Sequence, residues 1–158
     1  MNTKLKAHIL RTASALGASP FEQLSKVGEL LLAARSAEKW IFTAGNGGSA
    51  STASHMANDM VKGLSIEGHR RFRTMCLVDC TPVVTALAND YDYSRIFVEQ
   101  LKNYATSGDV LVLFSGSGNS PNVVKAAQYG RSIGMVVIAF TGRDGGQLKS
   151  HSNVACIA

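Results

Sequence analysis

The sequence predicts an α/β fold: a three-layer αβα sandwich around a five-stranded parallel sheet of order 2-1-3-4-5, preceded by two N-terminal helices. Two observations predict this fold. Five short apolar runs follow residue 39, and helix-like segments separate them. Continuous apolar runs are typical of strands buried on both faces, and parallel strands need helical crossovers between them. The predicted strands are 40–44, 75–78, 110–114, 135–140 and 153–157.

The two N-terminal helices are predicted over 4–16 and 20–37. Ser19 is positioned to cap the second helix, Pro20 suits its first position, and Glu22 falls where a capping box places its carboxylate. We expect the apolar side chains of this helix to exceed the needs of one sheet face and to support an oligomer. Later helical segments are predicted over 50–64, 82–88, 94–105 and 121–133, with a short turn at 146–150.

Length and composition indicate one domain. The chain has 158 residues, of which 46% are hydrophobic and 17% charged, as in a globular domain with a substantial core. We divide it into N-terminal helices over 1–38 and a sheet-forming core over 39–158. Because the fifth strand ends the sequence, we expect that a covering C-terminal helix is missing from this chain.

Charge and cysteine content exclude several classes of function. The net charge is +5, but the basic residues are spread along the chain, with one tight group at 69–73. This pattern favours an anionic small molecule over a nucleic acid. The three cysteines lack Cys-x-x-Cys spacing, so we interpret them as buried reduced thiols. No apolar run is long enough to span a membrane and no secretory signal is visible, so we expect a cytoplasmic location.

Two glycine- and serine-rich loops each join a predicted strand to a predicted helix. The first loop, 45–51, reads GNGGSAS, and the second, 115–121, reads SGSGNSP. Glycines let backbone amides approach a ligand, and a helix start adds unpaired N–H groups, so an anion is the expected occupant. Neither loop has a P-loop lysine or the dinucleotide fingerprint, so no nucleotide cofactor is expected.

Each loop taken alone also fits a tight turn that needs glycine for its geometry and serine for its cap. The pair changes this interpretation. In a sheet of order 2-1-3-4-5, the loops after strands 1 and 3 flank the switch point where ligands bind. We therefore expect both loops to open onto one crevice.

Four ordered motifs carry a family resemblance. The segments 44–50 with His55, 88–90 with 96–97, 115–122 and 141–146 resemble the sugar isomerase (SIS) domain of phosphoheptose isomerases. The resemblance implies a flavodoxin-like fold and a homotetramer whose active sites are shared between subunits. It also implies conversion of sedoheptulose 7-phosphate to D-glycero-D-manno-heptose 7-phosphate for bacterial surface sugars such as lipopolysaccharide.

The resemblance also implies roles for individual residues. Ser115, Ser117 and Ser120 would grip the phosphate, while Asn46 and Ser49 would contact the sugar chain. Asp90 would face the substrate, although a helix cap is its alternative interpretation. The full set of expected substrate-binding residues is Asn46, Gly47, Ser49, Asn89, Asp90, Ser115, Gly116, Ser117 and Ser120. For Asp144, followed by two glycines, a local turn is the stronger interpretation.

His55 and Asp59 are the candidate acid–base pair. Aldose–ketose exchange needs a general base and a general acid, and residues four apart share one helix face. In the isomerases that this chain resembles, a histidine and a glutamate bind zinc with a glutamine and a histidine of a C-terminal helix. Here the acid is aspartate, one methylene shorter, and His151 precedes the last predicted strand. Zinc is therefore a candidate cofactor with only half of its site, His55 and Asp59, in this chain.

Three functions remain in competition. The first is phosphoheptose isomerase. The second is a non-catalytic SIS-domain regulator that binds a sugar phosphate or docks a protein, as one related bacterial family does with the replication initiator. The third is an isomerase of another sugar phosphate. A pure binder would need the serine loops but not His55 and Asp59.

Overall fold

A computed structural model describes residues 2–158 of the chain. Helices α1 and α2 come first, and strands then alternate with helices as the apolar runs predict. The helices are α1 Asn2–Gly17, α2 Phe21–Ser36, α3 Gly48–Asn58, α4 Thr81–Asp90, α5 Val98–Tyr104, α6 Pro121–Ser132 and α7 Gly146–Ser150. The strands are β1 Trp40–Gly45, β2 Arg73–Cys76, β3 Val110–Ser115, β4 Val136–Thr141 and β5 Val154–Ile157. A π-helical turn, Asp59–Gly63, continues α3, and a 3-10 turn, Tyr93–Arg95, precedes α5.

The five strands form one parallel sheet of order β2-β1-β3-β4-β5, which confirms the predicted fold and strand order. Because all strands run the same way, their carboxyl ends share one edge. Gly45 at the end of β1 lies opposite Phe114 of β3, and Ser115 lies opposite Thr141 of β4. The loops that follow β1 and β3 therefore start side by side.

Apolar residues on alternate positions of each strand bury both faces of the sheet. Ile41 and Val112 face a cluster that includes Val27 of α2 and Met60 of the π-helical turn. On the other face, Phe42 and Leu111 join a second cluster with α5 and α6. The helical members of that second cluster include Leu101, Val123, Ala126 and Ala127. Since side chains alternate along a strand, the continuous apolar runs supply both cores at once.

The start of α2 differs from the prediction. The helix begins at Phe21, Pro20 occupies the N-cap position, and no side chain caps the helix. The Phe21 N–H donates to the Ser19 carbonyl at 2.8 Å, so the main chain makes the turn that the Ser19 hydroxyl was expected to make. The predicted capping box of Ser19 and Glu22 is therefore wrong.

Three other elements differ from the prediction. Strand β2 covers Arg73–Cys76 rather than 75–78, because the apolar residues after it are core residues outside the strand: Leu77 is fully buried. The predicted helix over 50–64 changes to π-helical geometry at Asp59. The predicted helix over 94–105 is divided into a 3-10 turn and α5.

Exposed apolar surface lies on both N-terminal helices. The second helix packs Val27 into the core, with Leu30 and Leu31 partly buried against it, while Phe21, Leu24 and Leu32 are exposed. By contrast, α1 contains no buried residue, and Leu5, Ile9, Leu10 and Leu16 are each more than half exposed. No helix within residues 2–158 has the length and apolarity needed to cross a membrane.

The three cysteines are free thiols, but they are not alike. Cys76 and Cys156 are buried, as expected, and burial raises the pKa of both thiols. Cys80 is exposed, which corrects the expectation for this residue. It holds the N-cap position of α4.

Candidate functional site

The two serine-glycine loops enclose one small cavity at the carboxyl edge of the sheet. This loop cavity has a volume of about 100 Å³. Its polar lining comes from both loops: Asn46 and Ser49 from the first, and Ser115, Ser117 and Ser120 from the second. Phe114 and Gly116 complete the wall. The predicted convergence of the two loops on one crevice is therefore confirmed, whereas the occupant of that crevice stays a prediction.

The serine hydroxyls of the second loop are oriented by backbone amides. Ser115 Oγ accepts a hydrogen bond from the Gly118 N–H at 3.2 Å, and Ser117 Oγ accepts one from the Asn119 N–H at 3.2 Å. Ser120 holds the N-cap position of α6 but makes no capping bond. A hydroxyl that accepts from the backbone keeps its own O–H free to donate. These three side chains therefore provide donors suited to an anion.

Close backbone packing fixes the shape of both loops. A Cβ on Gly45 would lie 2.6 Å from the Ser49 carbonyl oxygen, so only glycine allows α3 to start this near β1. Gly118 has φ of +64°, and a Cβ there would lie 2.0 Å from the Gly145 carbonyl oxygen. Gly47, an expected binding residue, lies at the N-cap of α3, and its carbonyl accepts from the Ala50 and Ser51 amides.

Asn46 is held in place by two residues that the sequence interpretation did not single out. Asn46 and Asn122 exchange reciprocal side-chain hydrogen bonds of 2.9 and 2.8 Å, and the Tyr93 hydroxyl donates to Asn46 Oδ1 at 3.1 Å. Asn122 is 1% exposed. The only local feature of the sequence that points to a role for Asn122 in the site is its position in the first turn of α6, directly after the serine loop. The pairing itself joins positions 76 residues apart, which no local pattern reveals.

Asn89 and Asp90 lie at the end of α4, outside the loop cavity. Both are exposed, and the Asn89 amide donates to Asp90 Oδ1 at 3.0 Å. The capping alternative for Asp90 is wrong, because Asp92 caps the following 3-10 turn by accepting from the Ser94 N–H at 2.7 Å. Hydrogen bonding by Ser94 lowers the pKa of Asp92. This turn carries Tyr93, so the segment reaches the site through Tyr93 rather than through Asp90.

A continuous series of cavities leads away from the loop cavity. A middle cavity of about 290 Å³ shares Ser49, Ser115 and Gly116 with it. An open groove of about 770 Å³ then shares Thr52 and Phe114 with the middle cavity. An extended ligand bound at one end could therefore reach the other along α3.

Thr141 forms part of the wall of the middle cavity. It is 5% exposed, and its Oγ1 is the one buried side-chain oxygen or nitrogen without a hydrogen-bond partner among residues 2–158. Thr43, on the neighbouring strand β1, is also buried, but its hydroxyl donates to the Ala53 carbonyl at 2.9 Å. Both threonines are therefore buried, but of the two only Thr43 has a hydrogen-bond partner for its hydroxyl.

His55 and Asp59 line the open groove. His55 Nε2 lies 3.1 Å from Asp59 Oδ2, which confirms the predicted shared helix face. Their side chains are 76% and 54% exposed, so the contact adds little to stability. Ser49 at the loop cavity precedes His55 by six residues, a rise of about 9 Å along a helix. The acid–base pair is therefore separated from the serine loops along one helix.

The described residues do not form a complete zinc site. Zinc takes three or four protein ligands, and His55 with Asp59 supplies two. No group of three or more His, Cys, Asp or Glu side chains within 2–158 could hold a metal ion. His151 ends α7, where its Nε2 lies 3.2 Å from the Gln128 amide nitrogen. Asp144 accepts from the Gly146 N–H at 3.1 Å, which confirms the turn interpretation.

Comparisons with known proteins show one family of similar sequences. The family model of the SIS domain matches residues 6–142. The chain is 36% identical over 157 residues to the phosphoheptose isomerase of Citrifermentans bemidjiense, covering 99% of this chain and 81% of that protein. It is 37% identical over 127 residues to the phosphoheptose isomerase of Coxiella burnetii, covering 80% of this chain and 63% of the relative.

A solved structure is similar over nearly the whole chain. The phosphoheptose isomerase of Neisseria gonorrhoeae superposes with a TM-score of 0.87 at 31% identity, covering 99% of this chain and 83% of that one. That structure therefore has the same fold as this chain, and the three relatives extend over more sequence than this chain does.

Proposed function

This chain belongs to the SIS-domain family, among the phosphoheptose isomerases, and from that premise we infer that it isomerises a seven-carbon sugar phosphate. The proposed reaction converts sedoheptulose 7-phosphate to D-glycero-D-manno-heptose 7-phosphate. The observation that carries the proposal is the convergence of two serine-glycine loops on one cavity, with an acid–base pair further along α3. In an extended seven-carbon sugar phosphate, the phosphate lies at the opposite end from the reacting carbons C1 and C2. The groups that bind the phosphate and the groups that transfer the proton must therefore be separated.

The phosphate of the substrate is assigned to the loop cavity. The hydroxyls of Ser115, Ser117 and Ser120 donate to its oxygens, and the start of α6 adds the partial positive charge of a helix N-terminus. Asn46 and Ser49 contact the carbons next to the phosphate. Hydrogen bonds to a charged phosphate are shorter and stronger than neutral ones, so this end supplies most of the affinity.

Further substrate contacts are assigned to backbone and to the α4 terminus. Gly47 and Gly116 allow the main chain to approach the ligand in the two loops. Asn89 and Asp90 lie outside the loop cavity at the end of α4, and we assign them to a part of the sugar that extends beyond this cavity, close in sequence to Tyr93, which contacts Asn46. Their exposure leaves both side chains available to a substrate hydroxyl.

The proton transfer is assigned to Asp59 and His55. The Asp59 carboxylate takes a proton from C1 of the ketose, while the C2 carbonyl oxygen gains a proton from His55, which gives the enediol. His55 then takes the proton from O1, and the protonated Asp59 returns its proton to C2, which gives the aldose. Both side chains lie in the open groove within contact of each other, as transfer between neighbouring carbons requires. No step is assigned to a metal, because two ligands do not make a zinc site.

We propose assembly into a homotetramer with shared sites. Its support is α1, on which Leu5, Ile9 and Leu16 are 58%, 57% and 67% exposed. Apolar surface of this extent on one helix marks a protein–protein contact. The three free thiols suit the cytoplasm, a reducing compartment where we place the reaction. Synthesis of bacterial surface sugars such as lipopolysaccharide is the pathway that this activity would serve.

Product analysis by NMR tests the proposal. The chain is incubated with sedoheptulose 7-phosphate and, in parallel, with shorter ketose phosphates. We expect an aldose signal with the seven-carbon substrate that the Asp59→Asn variant does not produce. A product from a shorter ketose alone would point to an isomerase of another sugar phosphate.

A non-catalytic regulator is the second candidate. The observation that favours it is the exposure of the candidate acid–base pair: the His55 and Asp59 side chains are 76% and 54% exposed, whereas the loop cavity is formed by described residues alone. Such a regulator would bind the sugar phosphate in the loop cavity without converting it. Calorimetry that detects tight binding, together with an unchanged ketose spectrum, would select this function over the isomerase.

A further inference from the structure

We propose that Asn122 is a positioning residue that orients the Asn46 carboxamide, so that Asn46 offers the substrate one N–H donor and no acceptor. The inference rests on the proposed function, because it describes how the first loop contacts the sugar. Asn122 would not touch the substrate and would act through Asn46. Its evidence is a chain of hydrogen bonds that begins at the backbone of α6.

The Val123 backbone fixes the orientation of Asn122. The Val123 N–H donates to Asn122 Oδ1 at 3.0 Å. A backbone N–H can only donate, so the side-chain atom facing it must be the oxygen and not the amide nitrogen. The two ends of an asparagine side chain are otherwise easily exchanged. Asn122 therefore presents its oxygen and its NH₂ group to Asn46 in one defined order.

Asn122 in turn fixes the orientation of Asn46. Its NH₂ group donates to Asn46 Oδ1 at 2.8 Å, and its oxygen accepts from Asn46 Nδ2 at 2.9 Å. The Tyr93 hydroxyl donates to the same Asn46 oxygen at 3.1 Å. An amide oxygen has two lone pairs, and both are now used. One of the two N–H groups on Asn46 Nδ2 is left for a ligand.

Burial makes this arrangement persistent. Asn122 is 1% exposed, so water cannot readily replace its bonds to Asn46. The paired amides also join the loop after β1 to the helix after β3, the two elements that enclose the loop cavity. Asn46 lines that cavity and is thereby a donor aimed at an oxygen of the bound sugar chain. The site therefore favours ligands with an acceptor oxygen at this position.

A double-mutant cycle tests the proposal. Asn46→Ala, Asn122→Ala and the double variant are titrated by calorimetry with sedoheptulose 7-phosphate and, separately, with inorganic phosphate. We expect each single variant to weaken sugar-phosphate binding by about tenfold, and the double variant to match Asn46→Ala within about twofold. Affinity for inorganic phosphate should change by less than about twofold in all three, because the serine loop is intact.

Asn103→Ala is the matched control. It makes the same substitution at an exposed asparagine of α5, whose amide bonds the Glu99 carbonyl, so affinity should stay within about twofold of the unmutated chain. Asn122→Ser, which retains a hydroxyl at the start of α6, replaces Asn122→Ala if that variant does not fold.

Three results would overturn the inference while leaving the proposed function standing: additive losses in the double variant, an unchanged affinity in Asn122→Ala, or a loss in Asn103→Ala equal to that in Asn122→Ala. If Asn122→Ala lost as much affinity for inorganic phosphate as for the sugar phosphate, the inference would also be overturned. Asn122 would then support the loop as a whole rather than orient Asn46. If the unmutated chain binds inorganic phosphate but no sugar phosphate, the proposed function itself fails, and the inference fails with it.

Discussion

The loop cavity and the His55–Asp59 groove differ in how completely the chain builds them. Around the loop cavity, hydroxyls are aligned by backbone amides, and a buried amide pair joins the two sides. In the groove, two exposed side chains contact each other across 3.1 Å. The loop cavity is therefore preorganised within the described residues, while the His55–Asp59 groove is open to solvent. Changes at the first end should alter affinity, and changes at the second should alter turnover.

The largest effect is expected for Asp59→Asn. The variant retains shape but cannot accept a proton, so turnover should fall by about 100-fold or more, the usual scale for a general acid–base group. Calorimetric affinity for sedoheptulose 7-phosphate should stay nearly unchanged. Glu29→Gln, which removes an equally exposed carboxylate from a surface ion pair with Lys26, is the control and should leave turnover intact. Wild-type turnover in Asp59→Asn would remove Asp59 from the chemistry.

Ser117→Ala should show the opposite pattern. Loss of a charge-assisted hydrogen bond to phosphate should cost about 1.5 to 3 kcal/mol of binding free energy, which raises Kd by about 10- to 150-fold. The rate constant for saturated protein should change far less. Ser132→Ala, whose hydroxyl bonds the Tyr129 carbonyl at the end of α6, is the matched control. Equal affinity in Ser117→Ala and Ser132→Ala would show that the phosphate binds elsewhere.

Much of both regions follows from the sequence, but their connections do not. The apolar runs predict a parallel sheet covered on both sides, because strands buried on both faces leave a continuous apolar pattern. Four-residue spacing likewise predicts that His55 and Asp59 meet. The Asn46–Asn122 pair joins positions distant in sequence, so only the folded chain reveals it. The start of α2 also differs from the prediction: Pro20 lies at the N-cap position and not at the first helical position. Local sequence signals do not determine how the main chain turns there.

Disrupting the proposed assembly is a third way to test whether the loop cavity binds phosphate independently of the His55–Asp59 groove. Replacing Ile9 with glutamate places a charge on the exposed apolar face of α1 and should shift a tetramer toward smaller species in light scattering. Binding of inorganic phosphate should remain, since both loops belong to one chain. Lys6→Glu also adds negative charge to α1, without replacing an apolar residue, and should leave the assembly intact. A monomer in the unmutated protein at micromolar concentration would contradict the assembly proposal.

The smallest effect concerns the middle cavity that joins the two regions. Thr141→Val replaces an unpartnered buried hydroxyl with a methyl group and should raise stability by about 1 kcal/mol, or Tm by about 2–4 °C. Thr43→Val removes a hydroxyl that bonds the Ala53 carbonyl and should lower stability by a similar amount. Thermal unfolding of both variants measures the difference. Equal destabilisation would indicate that Thr141 has a partner in solution.

The most direct test of isomerisation at the open end is hydrogen exchange during turnover in D₂O. Because the proposed enediol exchanges a carbon-bound proton with an acid–base group, NMR should detect the aldose phosphate with solvent deuterium at C2. In Asp59→Asn, the ketose should stay bound and undeuterated over the same period. If the unmutated protein binds sedoheptulose 7-phosphate yet neither forms aldose nor incorporates deuterium, the isomerase account is contradicted and the chain is a sugar-phosphate binder.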